Sequence, residues 1–148
     1  MDIAVVGSGR VGTALAVLLT RAGHRIVGVS GRGATAERAA RHLPGVPVLP
    51  AREAASRAEV VLVGTPDDRI AGVVSDLAAQ GAFRGGQAVV HLSGATGLDA
   101  LAAAAGRGAR TMSMHPLQSF PTVEAAIERL PGSGMAVTAG DERTAPPV

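Results

Sequence analysis

The clearest chemistry in this sequence lies in Gly7-Ser8-Gly9-Arg10-Val11-Gly12, a G-x-G-x-x-G pattern. The short apolar run Asp2-Ile3-Ala4-Val5-Val6 precedes it, and it opens directly into Val11–Leu19, which has helical periodicity. A strand, a glycine turn and a helix in that order make a dinucleotide-binding fingerprint, which the three glycines alone would not. Gly7 lets the chain turn sharply off the strand, Gly9 lets a pyrophosphate approach a backbone without a Cβ, and Gly12 lets the helix pack closely on the strand. The free N–H groups and positive dipole end of the helix then face the phosphates. Gly7, Ser8, Gly9, Arg10, Val11 and Gly12 are therefore candidate cofactor residues.

A second stretch bears on which dinucleotide. An NAD site places Asp or Glu roughly 20 residues after the glycine motif, on the ribose 2′-hydroxyl. Ser30-Gly31-Arg32-Gly33 stands there instead, with no carboxylate. A hydroxyl, backbone N–H groups and a guanidinium suit a 2′-phosphate, so NADP(H) is favoured over NAD(H), with Ser30, Gly31 and Arg32 as its contacts. The missing acid also counts against FAD and S-adenosylmethionine.

Composition removes several chemistries. The chain has 148 residues, no Cys and no Tyr, and all 14 of its basic residues are Arg, since it contains no Lys. Disulfides, thiolate metal sites, cysteine nucleophiles, Schiff-base lysines, P-loop lysines and Tyr/Lys proton-transfer pairs are excluded, and no metal site is expected. The arginines are scattered and the formal net charge is only +2. No nucleic-acid stripe results. No apolar run approaches the ~20 residues that span a bilayer. The chain opens on a core strand rather than a leader, which predicts a cytoplasmic protein. Aromatic residues are 1% of a chain that is 47% hydrophobic, so Val, Ile, Leu and Ala must build the core.

The elements that must position these residues follow from periodicity. A first helix carries Val11, Ala14, Leu15, Leu18, Leu19 and Ala22 on one stripe. A second strand is expected over 25–30, a helix over 34–43 with Arg38, Arg41 and His42 on its wet side, and a short edge strand over 46–49 weakened by Pro47. A helix over 50–58 and a nearly continuous apolar strand over 59–63 come next, the latter suiting a central parallel position. That strand ends in Gly64-Thr65-Pro66-Asp67-Asp68. In a doubly wound sheet this loop lies beside the glycine loop, so Gly64, Thr65 and Pro66 are expected to border the cofactor, with one of the two aspartates capping a helix over 69–79. A strand over 87–92 puts His91 and Ser93 on one face at the carboxyl edge. An alanine-rich helix over 97–105 and a strand over 110–114 lead into a polar loop, His115–Pro121. His115 is the best-placed titratable group, since imidazole suits proton transfer near neutral pH. A helix over 122–130 and a last strand over 134–138 close a domain of residues 1–140, and 141–148 read as a proline-bearing tail.

Four segments together resemble a known group of proteins. They are Val6–Ala14, Thr65-Pro66-Asp67-Asp68, Val90-His91-Leu92-Ser93-Gly94 and Ser113-Met114-His115-Pro116-Leu117-Gln118-Ser119-Phe120. The chain resembles bacterial proteins that join a Rossmann-like domain to a C-terminal helical domain of unknown function. Their wider relatives are the 6-phosphogluconate dehydrogenase-like NADP oxidoreductases, among them ketopantoate reductase, pyrroline-5-carboxylate reductase, prephenate dehydrogenase and deazaflavin-dependent NADP reductases. Such proteins are about twice this length, and their second domain usually closes the active site, builds a homodimer and supplies catalytic groups. This chain stops where that domain would begin.

The expected fold is α/β: a Rossmann-like, doubly wound, mostly parallel sheet with helices on both faces. The expected function is NADP(H)-dependent reduction of a small carbonyl or imine substrate such as a keto acid, ketopantoate for example, by hydride transfer. Ser93, His115 and Gln118 are the candidate catalytic residues, with His115 as proton donor. Two readings stay open beside it: a cofactor-binding module without catalysis, and a Rossmann domain for coenzyme A or another nucleotide.

Overall fold

Alternation along the strands sorts the core into two layers. A computed structural model describes residues 1–140. In strand β1 (Asp2–Val6), Ile3 and Val5 enter one buried cluster while Ala4 and Val6 enter the other. Strands β3 (Val60–Val63) and β4 (Ala88–His91) split in the same way, with Leu62 and Val90 on the first face and Val61, Val63 and Val89 on the second. Strands covered on both faces read as continuous apolar runs, which is why their sequences show no polar alternation. With β2 (Arg25–Ser30), β5 (Arg110–Pro116) and β6 (Met135–Ala139) they form one six-stranded sheet in the order β2-β1-β3-β4-β5-β6. The first five strands run parallel, and β6 pairs antiparallel with β5.

Helices α1 (Arg10–Arg21), α2 (Thr35–His42) and α6 (Val123–Arg129) contribute to the first layer, through residues such as Leu15, Ala39 and Ala126. Helices α3 (Ala51–Ser56), α4 (Ile70–Ala79) and α5 (Ala102–Ala105) cover the opposite face, through residues such as Ala55, Val74 and Ala104. The sheet is thus doubly wound. Its winding reverses between β1 and β3, so the connections leaving their carboxyl ends diverge and open a crevice there. No helix among the described residues is long and apolar enough to cross a membrane.

The sequence reading needs five corrections. The edge strand expected over 46–49 shrinks to one parallel bridge, Val48 with Val29, held by Val29 N–H to the Pro47 carbonyl at 3.0 Å and Leu49 N–H to the Val29 carbonyl at 2.8 Å. Pro47, without an N–H, cannot extend it. His115 does not open a loop: β5 runs on through Pro116, because β6 pairs with it from Met112 to Pro116. Neither Asp67 nor Asp68 caps a helix through its side chain, since that chain turns through a 3₁₀ segment, Asp67–Arg69, before α4. The alanine-rich helix over 97–105 begins as a 3₁₀ turn at Leu98–Leu101, where the Gly97 carbonyl accepts from both Ala100 N–H and the His91 ring. His42 is not solvated: its side chain is only 13% exposed and lies 3.6 Å from the Glu124 carboxylate. The tail expected over 141–148 lies outside the described residues.

Polar ties register the elements. Arg25 Nε and Nη2 donate to the Asp2 carboxylate at 2.9 and 2.6 Å, joining the starts of β1 and β2. These hydrogen bonds hold the Asp2 carboxyl below its ordinary value, so the tie is present at neutral pH and lost as pH falls through the carboxylate range. A stronger tie is buried. Gln87, 2% exposed, donates from Nε2 to the Ala55 and Ala58 carbonyls at 2.8 and 2.9 Å and accepts Arg84 N–H at 3.2 Å. Arg84 adds donors to the Ser56 and Ala58 carbonyls, both at 2.9 Å. Carbonyls at the end of α3 and just beyond it are thereby satisfied from the turn that precedes β4. A Gln87→Leu variant removes three hydrogen bonds from this tie and leaves Arg84 N–H without its acceptor, so urea unfolding should show a stability loss of about 1–3 kcal/mol with an unchanged slope.

Candidate functional site

At the crevice, backbone meets backbone. Gly7 has φ +83°, a left-handed conformation that glycine alone adopts without strain. A Cβ placed on it would stand 2.6 Å from Thr65 N, and one on Gly64 would stand 2.7 Å from the Gly7 carbonyl oxygen. The N–H groups of Gly7 and Ser8 both donate to the Ser30 carbonyl at 2.9 Å, tying the loop to the end of β2, and Gly64 N–H donates to Val6 O at 2.8 Å. Gly7 and Gly12 take the turn and the close packing expected of them. Gly12 would bring a Cβ to 3.1 Å from Val5 Cγ1, which is the close helix-on-strand packing, whereas a Cβ on Gly9 would meet nothing nearer than 4.0 Å. Space is therefore kept open over Gly9.

Helix α1 starts with its positive end bare. Its first intrahelical bond runs from Thr13 N–H to the Gly9 carbonyl at 2.9 Å, so the N–H groups of Arg10, Val11 and Gly12 have no acceptor within the helix. No side chain caps this end and no acid stands in its first turn. An anion would satisfy both the donors and the dipole.

Two clefts meet above these groups. The larger, about 690 Å³, is lined by Gly7, Ser8, Gly9, Ser30, Gly31, Arg32, Gly64, Thr65 and Pro66 from the sequence reading. The smaller, about 240 Å³, is lined by Gly9, Arg10, Val11, Gly12, Gly64 and Thr65, with Asp67 and Leu92. Every residue expected at the cofactor thus borders one cleft or both. Ser8 needs a qualification: it is buried, its hydroxyl pairs with Thr13 Oγ1 at 2.8 Å and its N–H is taken by Ser30, so neither group is free for a ligand. Thr65 Oγ1 presents the converse case. It is the one buried side-chain polar atom without a partner among the described residues, and Thr65 borders both clefts.

Sequence reasoning missed Thr35, Arg38 and Arg69, which also line the larger cleft. Arg38 was assigned to the wet side of its helix, but it is half-buried and its Nη1 donates to the Ser8 carbonyl. The signal was available: Thr35 and Arg38 lie one turn apart at the start of the helix that follows Ser30-Gly31-Arg32, so both face the same sheet edge. Arg32 is exposed at the cleft, and its carbonyl accepts the Thr35 hydroxyl at 2.9 Å.

The candidate catalytic residues are placed differently. None of Ser93, His115 and Gln118 lines either cleft, although Leu92, next to Ser93, does. Ser93 is buried; its hydroxyl donates to Thr96 Oγ1 at 2.9 Å and accepts Ala95 N–H at 3.2 Å. His91, fully buried, accepts Ser93 N–H on Nδ1 at 3.2 Å, so its Nε2 carries the proton and donates to the Gly97 carbonyl at 3.2 Å. Both its nitrogens are occupied in holding the turn after β4. His115 sits next to that turn. Its Nδ1 donates to the Leu92 carbonyl at 3.4 Å, and its Nε2 edge lies over Gly94, where a Cβ would come within 2.6 Å. Ser93 and His115 therefore share one corner, while Gln118 is exposed and makes no hydrogen bond among the described residues. No group of three or more His, Asp or Glu among those residues could hold a metal ion.

This site, on this sheet, defines a class. A family description of Rossmann-like domains matches residues 1–116, and the chain belongs to that family. No curated protein matches the sequence. Among solved structures it is similar to a Bacteroides fragilis protein named as an NADP oxidoreductase, at TM-score 0.73 and 20% identity over 96% of this chain and 52% of that one, a likeness of fold. It is also similar to Mycobacterium tuberculosis 3-hydroxyisobutyrate dehydrogenase, at TM-score 0.71 and 26% identity over 97% and 47% of the two chains. A Streptomyces aurantiacus imine reductase matches at TM-score 0.63 and 26% identity over 80% and 42%. The chain spans about half the length of each of these proteins.

The glycines give a test that needs no ligand. Gly7→Ala combines a left-handed backbone with a clash against Thr65 and should cost about 3 kcal/mol or more in thermal or urea unfolding. Gly9→Ala, with an extended backbone (φ −81°, ψ −161°) and open space, should stay within about 0.5 kcal/mol of the parent.

Proposed function

We propose that residues 1–140 form an NADP(H)-binding oxidoreductase domain whose protein reduces a small carbonyl or imine compound, a keto acid fitting best. The observation that carries this reading is the charge of the larger cleft: Arg32, Arg38 and Arg69 line it and no Asp or Glu does. A ribose 2′-hydroxyl is usually read by a carboxylate, whereas a 2′-phosphate dianion suits guanidinium groups. Arg32 and Arg38, with Ser30 and Thr35 between them, are the 2′-phosphate contacts on this reading. Leu49, Pro50, Ala51 and Val73 offer the adenine an apolar wall. The bare N–H groups of Arg10, Val11 and Gly12 take the diphosphate, and the unpartnered Thr65 hydroxyl takes a ribose oxygen. The nicotinamide end then points towards the smaller cleft, across the ends of β3 and β4.

The bound nicotinamide would supply the hydride. What the chain supplies is the proton: His115, whose Nδ1–H is held by the Leu92 carbonyl, would donate it from Nε2 as the imidazolium and be left as the neutral Nδ1–H tautomer. The fold likeness to dehydrogenases and imine reductases supports the same class of reaction. A second reading, a cofactor-binding module without turnover, is favoured by one observation: Ser93, His115 and Gln118 line neither cleft. NADPH consumption against a panel of keto acids and imines separates the two, and a His115→Ala rate within a few-fold of the parent would remove His115 from the reaction.

Cofactor titrations test the proposal itself. NADPH should bind more tightly than NADH, and Arg32→Ala should cost about 1.5–3 kcal/mol of NADPH affinity while barely changing NADH. Gly9→Ala, though stable, should lose both cofactors because its methyl group occupies the place of the diphosphate. Tighter NADH binding, or an unchanged NADPH affinity in Arg32→Ala, sinks the NADP reading. A preference for coenzyme A over both would assign the cleft to another ligand.

A further inference from the structure

Arg10 has two separate attachments. Its backbone N–H belongs to the bare end of α1, where Arg10 borders the smaller cleft. Yet its Nη1 donates to the Pro121 carbonyl at 3.0 Å, across 111 residues of sequence. Pro121 ends the segment that β5 feeds. It directly precedes Thr122, whose hydroxyl caps α6 by accepting Ala125 N–H at 3.0 Å. Phe120, beside it, is buried in the layer that α1 and α6 share. Between the ends of this segment, Leu117, Gln118 and Ser119 are exposed. At its other end, Leu117 N–H donates to the Gly134 carbonyl at 3.0 Å. The segment therefore hangs between a strand end and the glycine loop, and the Arg10 guanidinium is its polar tie to that loop.

We infer that Arg10 is a positioning residue: its guanidinium registers the Leu117–Pro121 segment, and Gln118 with it, to the helix end that receives the cofactor diphosphate. A guanidinium suits this task, because it is permanently charged, planar and carries five donors, so one carbonyl does not use it up. Occupancy of the helix end is then felt at Phe120 through one side chain. The tie itself stands on the ligand-free geometry. Only its response to cofactor rests on the reading of the previous subsection.

The chain contains two phenylalanines, which makes the test direct. Phe120 lies in the layer beside α1, and Phe83 lies in the layer on the opposite face, so fluorine NMR of protein labelled with 4-fluorophenylalanine gives one reporter and one internal control. Without ligand, Arg10→Ala should move or broaden the Phe120 resonance, leave Phe83 in place, and be largely rescued in Arg10→Lys. Saturating NADPH should move the Phe120 resonance in the parent, and that shift should be at least about twofold smaller in Arg10→Ala. If Arg10→Ala also moves Phe83, the change is global. Arg10→Gln, which keeps a polar stem too short to reach Pro121, is then read by the same criteria. An unmoved Phe120 resonance in the ligand-free variant overturns the proposal, as does failure of the lysine to rescue. Equal NADPH-induced shifts in parent and variant overturn it while leaving cofactor binding intact. Absence of NADPH binding to the parent removes the cofactor reading, and the ligand-free comparison still decides the tie.

Discussion

The domain depends on how closely two backbones approach one another. Val6 and Val63 end at the same level of neighbouring parallel strands, and the chains leaving them must turn apart within one residue. Gly7 and Gly64 make that turn with each other's atoms inside the distance a Cβ would need. With no side chain between them, three strand ends converge, since the Ser30 carbonyl also holds the Gly7 and Ser8 N–H groups. Helix α1 is thereby planted with its unsatisfied donors over the sheet edge. The clefts follow from this: they are the space left where chains diverge from a point at which they almost touch.

How much of this was legible follows the range of each interaction. The glycine motif, the absent carboxylate after β2 and the apolar runs of β1 and β3 are local signals, and they correctly placed the loop, its neighbours and the doubly wound sheet. What escaped was made by distant partners. Nothing around His115 shows that β6 will zip onto β5 and turn an expected loop into strand. Nothing around Gln87 shows that its amide will serve the end of α3. Arg38 looked solvated because helical periodicity scores a guanidinium as wet, whereas a long stem can lie along a cleft and carry its head to a carbonyl. The commitment of the Ser93 hydroxyl to Thr96 was not legible, because Ser93 lies in the turn beyond β4 and period-2 alternation gives the face of a residue and not its partner.

A chain without lysine also relies on arginine in a particular way. Arg10, Arg38, Arg52 and Arg84 each donate to a backbone carbonyl, on Pro121, Ser8, Gln80 and, for Arg84, both Ser56 and Ala58. These are not ion pairs, so they depend less on salt than the exposed Arg57–Glu53 and Arg41–Glu124 bridges do. Charge here serves to complete the hydrogen bonding of turns and helix ends, both beside the clefts (Arg10, Arg38) and away from them (Arg52, Arg84).

The two margins of the sheet are unlike. Beyond β2, the Val48 bridge and its proline neighbour end the ladder. Beyond β6, no described segment continues it, and Ala136, Val137 and Thr138 are exposed with no charged residue among them. An unguarded, uncharged strand is the part of such a molecule on which concentration acts first, since any other extended chain can complete its ladder. Among the described residues, the margin farthest from the glycine loop is thus the one where an added extended chain would lengthen the sheet, and a charge introduced there would oppose this without touching the clefts.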